Sequence, residues 1–357
     1  MTATMRAVVY TGYGRPLELR DVPEPECPAD GVVLDVRATG VCRSDWHAWK
    51  GHEQVPLPQI PGHELSGVVV DTGPEVRRWR PGARVTVPFV CGCGRCEFCA
   101  AGEAQVCPQQ TQPGFTGPGS FAERVAIHAA DLNLVALPDD VGFVAAASLG
   151  CRFATAFRAL TAHGRLRDGE HLVVHGCGGV GLSAVQIGVA LGARVVAVDV
   201  AEESLARARA LGAEAGIRSA GMSVGDVAAA VRALAGGGGH VSVDAFGAAE
   251  TCEASVRCLR RRGRHVQIGL LFGPAATPPI PMDVVTAHEL AIHGSHGMPA
   301  RDYPRLLELV SGGALRPDAL VENVLTLAEA PAALAAMDAP SGSAGMTVVE
   351  PGRGLSR

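Results

Sequence analysis

The spacing of apolar side chains changes rhythm once along the chain. Up to about residue 72 they come in short Val-rich runs, Arg6–Val9, Val32–Ala38 and Leu65–Asp71, bounded by Gly, Pro and Asp. This pattern predicts the strands of a compact antiparallel β unit. Pro23, Pro25, Pro28, Pro56, Pro58 and Pro61 punctuate its loops. More β is predicted from Ser120 to Ala136, then helices over Asp139–Leu149 and Ala154–Ala162 on either side of Cys151. From there strands and helices alternate. Strand Leu172–His175 leads into a helix reaching Leu191, followed by strand Arg194–Val198 and helices Glu202–Leu211 and Val224–Ala235. Strand Val241–Asp244, helix Ala248–Leu259 and strand Arg264–Ile268 come next. Such alternation predicts a doubly wound parallel sheet, an α/β fold. Leu290–Gly294 reads as its last strand. Helices Asp302–Val310 and Ala328–Ala336 and strand Thr347–Glu350 then return to the first domain. The boundaries fall at 1–152, 153–294 and 295–357, as expected where single cores stop growing at about 250–300 residues.

Composition narrows the function. With 47% apolar residues, 19% charged and a net charge of −5, no basic excess points to nucleic acid or an anionic membrane. Met1–Met5 lacks an apolar leader segment, and no eighteen apolar residues run uninterrupted. A cytoplasmic enzyme is expected. Five of the 11 cysteines fall between 91 and 107, which in a chain of this length favours metal binding over a disulfide scaffold.

In that cluster, two Cys-x-x-Cys steps share Cys96 and join Cys93 to Cys99, and the following loop delivers Cys107. Four thiolates make a closed tetrahedral site with net charge −2 around Zn²⁺, suited to structure. A second set is more open. Cys42 in Gly40–His47 and His63 in Pro61–Gly67 offer a thiolate and an imidazole, and Cys151, between the two domains, is the candidate third ligand. Three such ligands leave the metal neutral and electrophilic with a position for substrate. Trp46 and Trp49 flank His47; packing in the core and lining a pocket are equally open to both.

The second domain opens on a strand that runs into Gly176, Gly178, Gly179, Val180 and Gly181 at the head of a helix. Missing side chains there let a backbone approach a pyrophosphate at the helix N-terminus. Strand 194–198 ends in Asp199, where a carboxylate accepts hydrogen bonds from ribose hydroxyls and repels a 2′-phosphate. NAD is therefore expected over NADP. Glu202 and Glu203 add to the negative field. Gly236–Gly239 follows a helix and precedes a strand, so it reads as a flexible connection.

Gly62-His63-Glu64, with Gly67, Gly73 and Val76, resembles the zinc signature of the medium-chain zinc-dependent alcohol dehydrogenases. Residues 42–49 are similar to the metal-ligand and proton-relay segment of that family's yeast and bacterial branch. The resemblance runs from about residue 5 to about 350. It implies a GroES-like β-rich catalytic domain with a structural zinc lobe at 91–107, joined to a Rossmann cofactor domain. It implies two zinc ions per chain: a catalytic one on Cys42, His63 and Cys151, and a structural one on Cys93, Cys96, Cys99 and Cys107, leaving Cys91 supernumerary. By the same resemblance Ser44 passes a proton towards His47, and Asp45 holds the His63 imidazole. Glu64 lies behind the zinc as an occasional ligand and is otherwise a buried acid needing a cationic partner. Arg43, Thr155, Gly269 and Leu270 contact the cofactor, while Trp46, Phe89 and Val106 line an apolar substrate pocket. The short interval from Cys107 to Cys151 resembles the tetrameric branch. One departure stands out: Met346 occupies the place where relatives often carry an Arg that contacts both the pyrophosphate and the acid matching Glu64.

The expected activity is hydride transfer between a primary or secondary alcohol, or its aldehyde or ketone, and NAD. A polyol, amino-alcohol or formaldehyde dehydrogenase of the same fold is the alternative. A non-catalytic zinc-stabilised binding protein is a third, and loss of Cys42, Ser44, His63 or Cys151 would have marked it; all four are present.

Overall fold

A computed structural model describes residues 3–339 and 345–353. The chain forms two compact units, one made of the residues up to Ala154 with those from Gly297 on, the other of Thr155–His296.

The first unit begins with an antiparallel pair, β1 (Thr4–Val9) and β2 (Glu18–Pro23). Its main sheet contains β3 (Val32–Val41), β4 (Glu64–Thr72), β5 (Arg84–Val87), β6 (Arg124–Ile127) and β7 (Val135–Ala136), with late strands β14 (Val321–Thr326) and β15 (Met346–Glu350). The order is β14-β15-β3-β4-β5-β7, with β6 also on β3. All pairings are antiparallel except β14 with β15. Val32, Leu34, Leu65, Val85 and Val87 pack into one apolar core on this sheet, and Val33, Ser66 and Thr86 between them are buried as well. The β3–β4 register sets Gly40 opposite Glu64. Cys42, just past the end of β3, therefore lies beside His63, just before β4.

The helix α1 (Arg43–Lys50) follows Cys42 directly, in a segment where the pattern of apolar positions predicts no element. Helix α2 (Phe143–His163) is a single, predominantly apolar helix of 21 residues, mostly buried within the protein. The two helices expected around Cys151 are thus one, interrupted by a π turn over Leu149–Phe153 that carries the cysteine. π turns within α-helices occur frequently at functional sites.

The second unit holds β8 (His171–His175), β9 (Arg194–Asp199), β10 (Ala215–Arg218), β11 (Gly239–Asp244), β12 (Leu259–Gln267) and β13 (Ala291–Gly294). Every pairing is parallel, in the order β10-β9-β8-β11-β12-β13. This is the strand order of a dinucleotide-binding doubly wound sheet. Helices α3 (Gly179–Ala190), α4 (Glu202–Ala210), α5 (Val224–Leu234) and α6 (Ala249–Arg257) make its crossovers, and α7 (Met282–His288) precedes β13. The predicted flexible connection, Gly236–Gly238, joins α5 to β11 with three successive positive φ angles. Back in the first unit, α8 (Tyr303–Ser311) and α9 (Ala330–Ala335) precede β15.

Candidate active site and metal centres

The first donor cluster is assembled by three elements of one unit. Cys42 is the N-cap of α1, His63 and Glu64 sit at the head of β4, and Cys151 lies in the π turn of α2. One ligand atom from each of the four falls within 4.8 Å of all the others.

Asp45, itself buried, ties the two ligand segments together. Its Oδ1 accepts from His63 Nδ1 at 2.9 Å and from the Gly62 amide at 3.0 Å, and its Oδ2 accepts from the Cys42 amide at 3.1 Å. With Nδ1 committed to Asp45, His63 Nε2 is the nitrogen left for a ligand, and it is buried without a hydrogen-bond partner. An orphaned imidazole nitrogen beside two thiols suits a borderline-soft ion such as Zn²⁺. Gly62 makes the approach possible: its φ is +104°, and a Cβ there would lie 2.6–2.7 Å from Phe121 and Ser120.

Electrostatics support the ligand chemistry. A hydrogen bond from the Cys151 thiol, opposed by burial and aided by His63, holds Cys42 well below the ordinary thiol range, while its partner Cys151 is pushed up. Burial alone would depress His63, yet the Asp45 carboxylate holds it well above the ordinary imidazole value.

Arg152 is the residue the sequence reading missed. It follows Cys151 directly, and its Nε donates to Glu64 Oε1 at 2.9 Å while its Nη2 pairs with Oε2. Both groups are buried. Burial raises Glu64, and Arg152 opposes that rise. The cationic partner that Glu64 needs therefore comes from beside the ligand cysteine, whereas Met346 is fully buried on β15 beside the end of β3. A cation next to a candidate ligand, together with the Met at 346, was the available signal.

The remaining expected positions are placed as follows. Ser44 and His47 lie one turn apart on α1. Phe89 and Phe115 set their rings against His63, with centroids 6.0 and 5.2 Å away. Trp46 is half-buried, its Nε1 donating to Asp338 at 2.7 Å under the Arg43 guanidinium, and Trp49 is buried in the core. Val106 is 48% exposed in the short turn Ala104–Val106 that leads into Cys107.

The second cluster brings Cys93, Cys96, Cys99 and Cys107 together, again with sulfurs within 4.8 Å of one another. Cys96 accepts from the Cys99 amide and Cys107 from the Cys93 amide, each at 3.4 Å. Cys91 stays apart: its thiol donates to the Pro88 carbonyl and burial pushes it up to about 12.

In the second unit, Gly176 has a φ of +85° and Gly178 caps α3. A Cβ at Gly181 would collide with the Gly176 carbonyl oxygen, so the turn requires glycine there. Asp199 closes the strand beside this turn, its Oδ2 accepting from the Cys177 amide at 2.7 Å and its Oδ1 from Ala201 at 2.9 Å. Gly269 lies just past β12, its amide donating to Asp244, and Leu270 is exposed. Thr155 is buried in α2.

The comparisons agree with this architecture. Residues 28–139 match the alcohol dehydrogenase GroES-like domain and residues 179–312 the zinc-binding dehydrogenase domain. An alcohol dehydrogenase of Geobacillus stearothermophilus is 33% identical over 315 residues, 87% of this chain and 90% of the relative. The chain belongs to the zinc-dependent alcohol dehydrogenase family. The solved alcohol dehydrogenase of Thermus sp. ATN1 superposes on this enzyme with a TM-score of 0.89 at 28% identity, covering 97% of this chain and 99% of its own. A zinc-binding dehydrogenase structure from Sinorhizobium meliloti 1021, bound to NADP, superposes with a TM-score of 0.86 at 29% identity over 98% and 100% of the two chains. Zinc and a nicotinamide dinucleotide are thus the cofactors of this family member.

Proposed function

We propose that the protein oxidises small primary or secondary alcohols, or reduces the matching aldehydes and ketones, with zinc on Cys42, His63 and Cys151 and with NAD as the preferred dinucleotide. The observation that carries this reading is the buried, unpartnered Nε2 of His63 facing two thiols. Bound there, zinc supplies Lewis-acid activation of a substrate oxygen, and the nicotinamide supplies the hydride acceptor. The chain's own residues do the rest. Asp45 keeps the proton of His63 on Nδ1 and so keeps Nε2 available. Arg152 occupies both oxygens of Glu64, so Glu64 acts behind the ligands rather than as one of them. Phe89 and Phe115 make the surroundings of His63 apolar, which excludes water from the reacting carbon. Ser44 accepts the proton that leaves the alcohol and hands it to His47.

A second zinc on Cys93, Cys96, Cys99 and Cys107 serves structure alone. Metal analysis of the purified enzyme is expected to return about two zinc per chain, falling to about one in Cys42→Ser. A single zinc in the parent protein would sink the two-site reading. For the dinucleotide, the Asp199 carboxylate is pinned at the end of β9 beside the glycine turn, where it repels a 2′-phosphate. The ratio of kcat/KM for NAD over NADP should exceed one and collapse in Asp199→Gly; equal or better rates with NADP would overturn it. A cytoplasmic homotetramer completes the proposal, supported by the resemblance and by β13, an edge strand with Ile292 exposed.

A polyol or amino-alcohol substrate is favoured by one further observation. Glu53 is half-buried, no hydrogen bond or ion pair engages its carboxylate among the described residues, burial raises its pKa, and His63 is near enough to oppose that rise. A carboxylate so placed suits a substrate carrying an ammonium or a second hydroxyl. Screening short-chain, aromatic, polyol and amino alcohols against the parent and Glu53→Leu separates the two substrate classes: the variant shifts preference towards plain alcohols only if Glu53 reads the substrate.

A further inference from the structure

At the end of α1 two histidines meet. His47 Nδ1 and His52 Nδ1 lie 2.9 Å apart, with ring centroids at 5.2 Å. Trp46 sets its indole edge-on to both rings, at 5.0 and 5.3 Å. The indole is fixed in turn: its Nε1 donates to Asp338, Lys50 pairs with the same carboxylate, and Arg43 lies over the ring at 4.9 Å. The backbone locks the second histidine as well. Gly51 ends the helix in the left-handed conformation, and the His52 amide donates to the His47 carbonyl at 3.0 Å. Just beyond, Tyr13 Oη bonds the Val55 backbone at 3.1 Å and the Gln54 side chain. The pair is therefore held from both sides.

Two imidazole nitrogens at this separation bond only when one of them carries a proton and the other a lone pair. The pair consequently holds at most one excess proton across that contact. His47 is half-buried and His52 is exposed, so the contact runs from the interior to water.

We propose that His52 is the exit member of the proton relay, taking from His47 the proton released by the alcohol and delivering it to solvent. The proposal rests on the reading of His47 as the relay base. A proton arrives on His47 Nε2; the His47 Nδ1–H bond breaks as an Nδ1–H bond forms on His52; His52 then loses its Nε2 proton to water or buffer. One proton enters, one leaves, and both rings are neutral again in exchanged tautomers, which water-mediated proton exchange returns to the starting arrangement before the next turnover.

The charges around the pair favour this direction. Burial, His52 and Arg43 all depress His47, against the opposing influence of Cys42. A proton on His47 is thereby destabilised next to an exposed ring that can accept it. Lys50, at the end of α1, is paired with Asp338, which offsets its charge near the two rings.

The test compares His47→Gln, His52→Gln and the parent holoenzyme in alcohol oxidation at saturating substrate from pH 5.5 to 9. In His52→Gln, kcat is expected to fall roughly tenfold at the acid end and to recover towards the parent above pH 8, where bulk base takes over. Added imidazole should restore it, with KM and zinc content unchanged. Superimposable pH profiles for His52→Gln and parent, with His47→Gln slowed, would overturn the role of His52 alone. Unchanged kinetics in both variants would remove the relay reading itself. A uniform loss at every pH, with raised KM and no imidazole rescue, would show His52 to be a loop-holding residue and would also overturn the proposal.

Discussion

At the scale of single residues, the Cys42–His63–Cys151 cluster depends on side chains outside its own donor set. Asp45 makes three hydrogen bonds, to Cys42, Gly62 and His63. Asp45→Asn preserves the volume but removes the charge that fixes the tautomer of His63, and carboxylate partners of this kind typically carry about 10–100-fold in metal affinity. Competition with a chelator should therefore strip the catalytic zinc from Asp45→Asn at correspondingly lower chelator concentration while the four-cysteine zinc stays bound. Equal retention at both sites would contradict the role. Arg152 offers a separate measurement. Removing it leaves the Glu64 carboxylate buried without its cation, and breaking a buried pair in this way costs about 3–5 kcal/mol. Arg152→Met should lower the denaturation midpoint strongly, and Glu64→Gln in the same background should recover part of the loss, because no charge is then left unpaired. A double variant no more stable than Arg152→Met would show that the pair is not what holds this site.

At the scale of elements, legibility followed the range of the interactions. Cys93, Cys96, Cys99 and Cys107 were readable because their spacing is the site, and Gly176–Gly181 because a strand, a glycine turn and a helix lie consecutively in the chain. Helix α1 was not, since eight residues beginning after a cysteine carry a weak helical signal, and its N-terminus is closed by Asp45 reaching back to the Cys42 amide. Strand β10, Ala-Gly-Ile-Arg, has almost no β-propensity and exists because β9 offers it an edge. Strand β14 has no fully buried residue and pairs only with β15. The Glu64–Arg152 pair spans 88 residues, a contact that appears only once the π turn is laid against β4. The glycine turn yields its own prediction: Gly181→Val would drive a side chain into the Gly176 carbonyl. Dinucleotide binding, followed by fluorescence of the reduced cofactor, should be lost while both metal clusters, in the other unit, still load zinc. Retained cofactor binding would mean that the turn tolerates a side chain after all.

At the scale of the whole molecule, the two units should differ in their response to acid. The core of the second contains a chain of buried polar groups: His265 Nδ1 to Ser255 at 2.8 Å, Ser255 to Ser242 at 2.7 Å, Ser242 to Cys258, and Cys258 to His175. Burial depresses His175 to about 3 and His265 to about 4, whereas an unfolded imidazole titrates near 6.5. Both folded values lie below the unfolded one, so as the pH falls from about 6.5 towards 4 the unfolded chain binds protons that the folded chain refuses. Stability from these two groups is thus complete above the unfolded value and is lost on acidification, with a slope approaching about 2.7 kcal/mol per pH unit. Zinc loss in acid acts on the first unit, so the comparison that isolates the effect is between parent and a His175→Gln/His265→Gln double variant, each unfolded in urea at pH 7.5, 6, 5 and 4.5. The absolute midpoint of the variant is immaterial; what matters is how steeply it falls. A parent curve steeper than the variant's between pH 6 and 4.5 is the expected result. Parallel curves would mean that the two rings titrate in the folded protein as they do in water, and hence that the polar chain in this core opens to solvent well before the fold is lost.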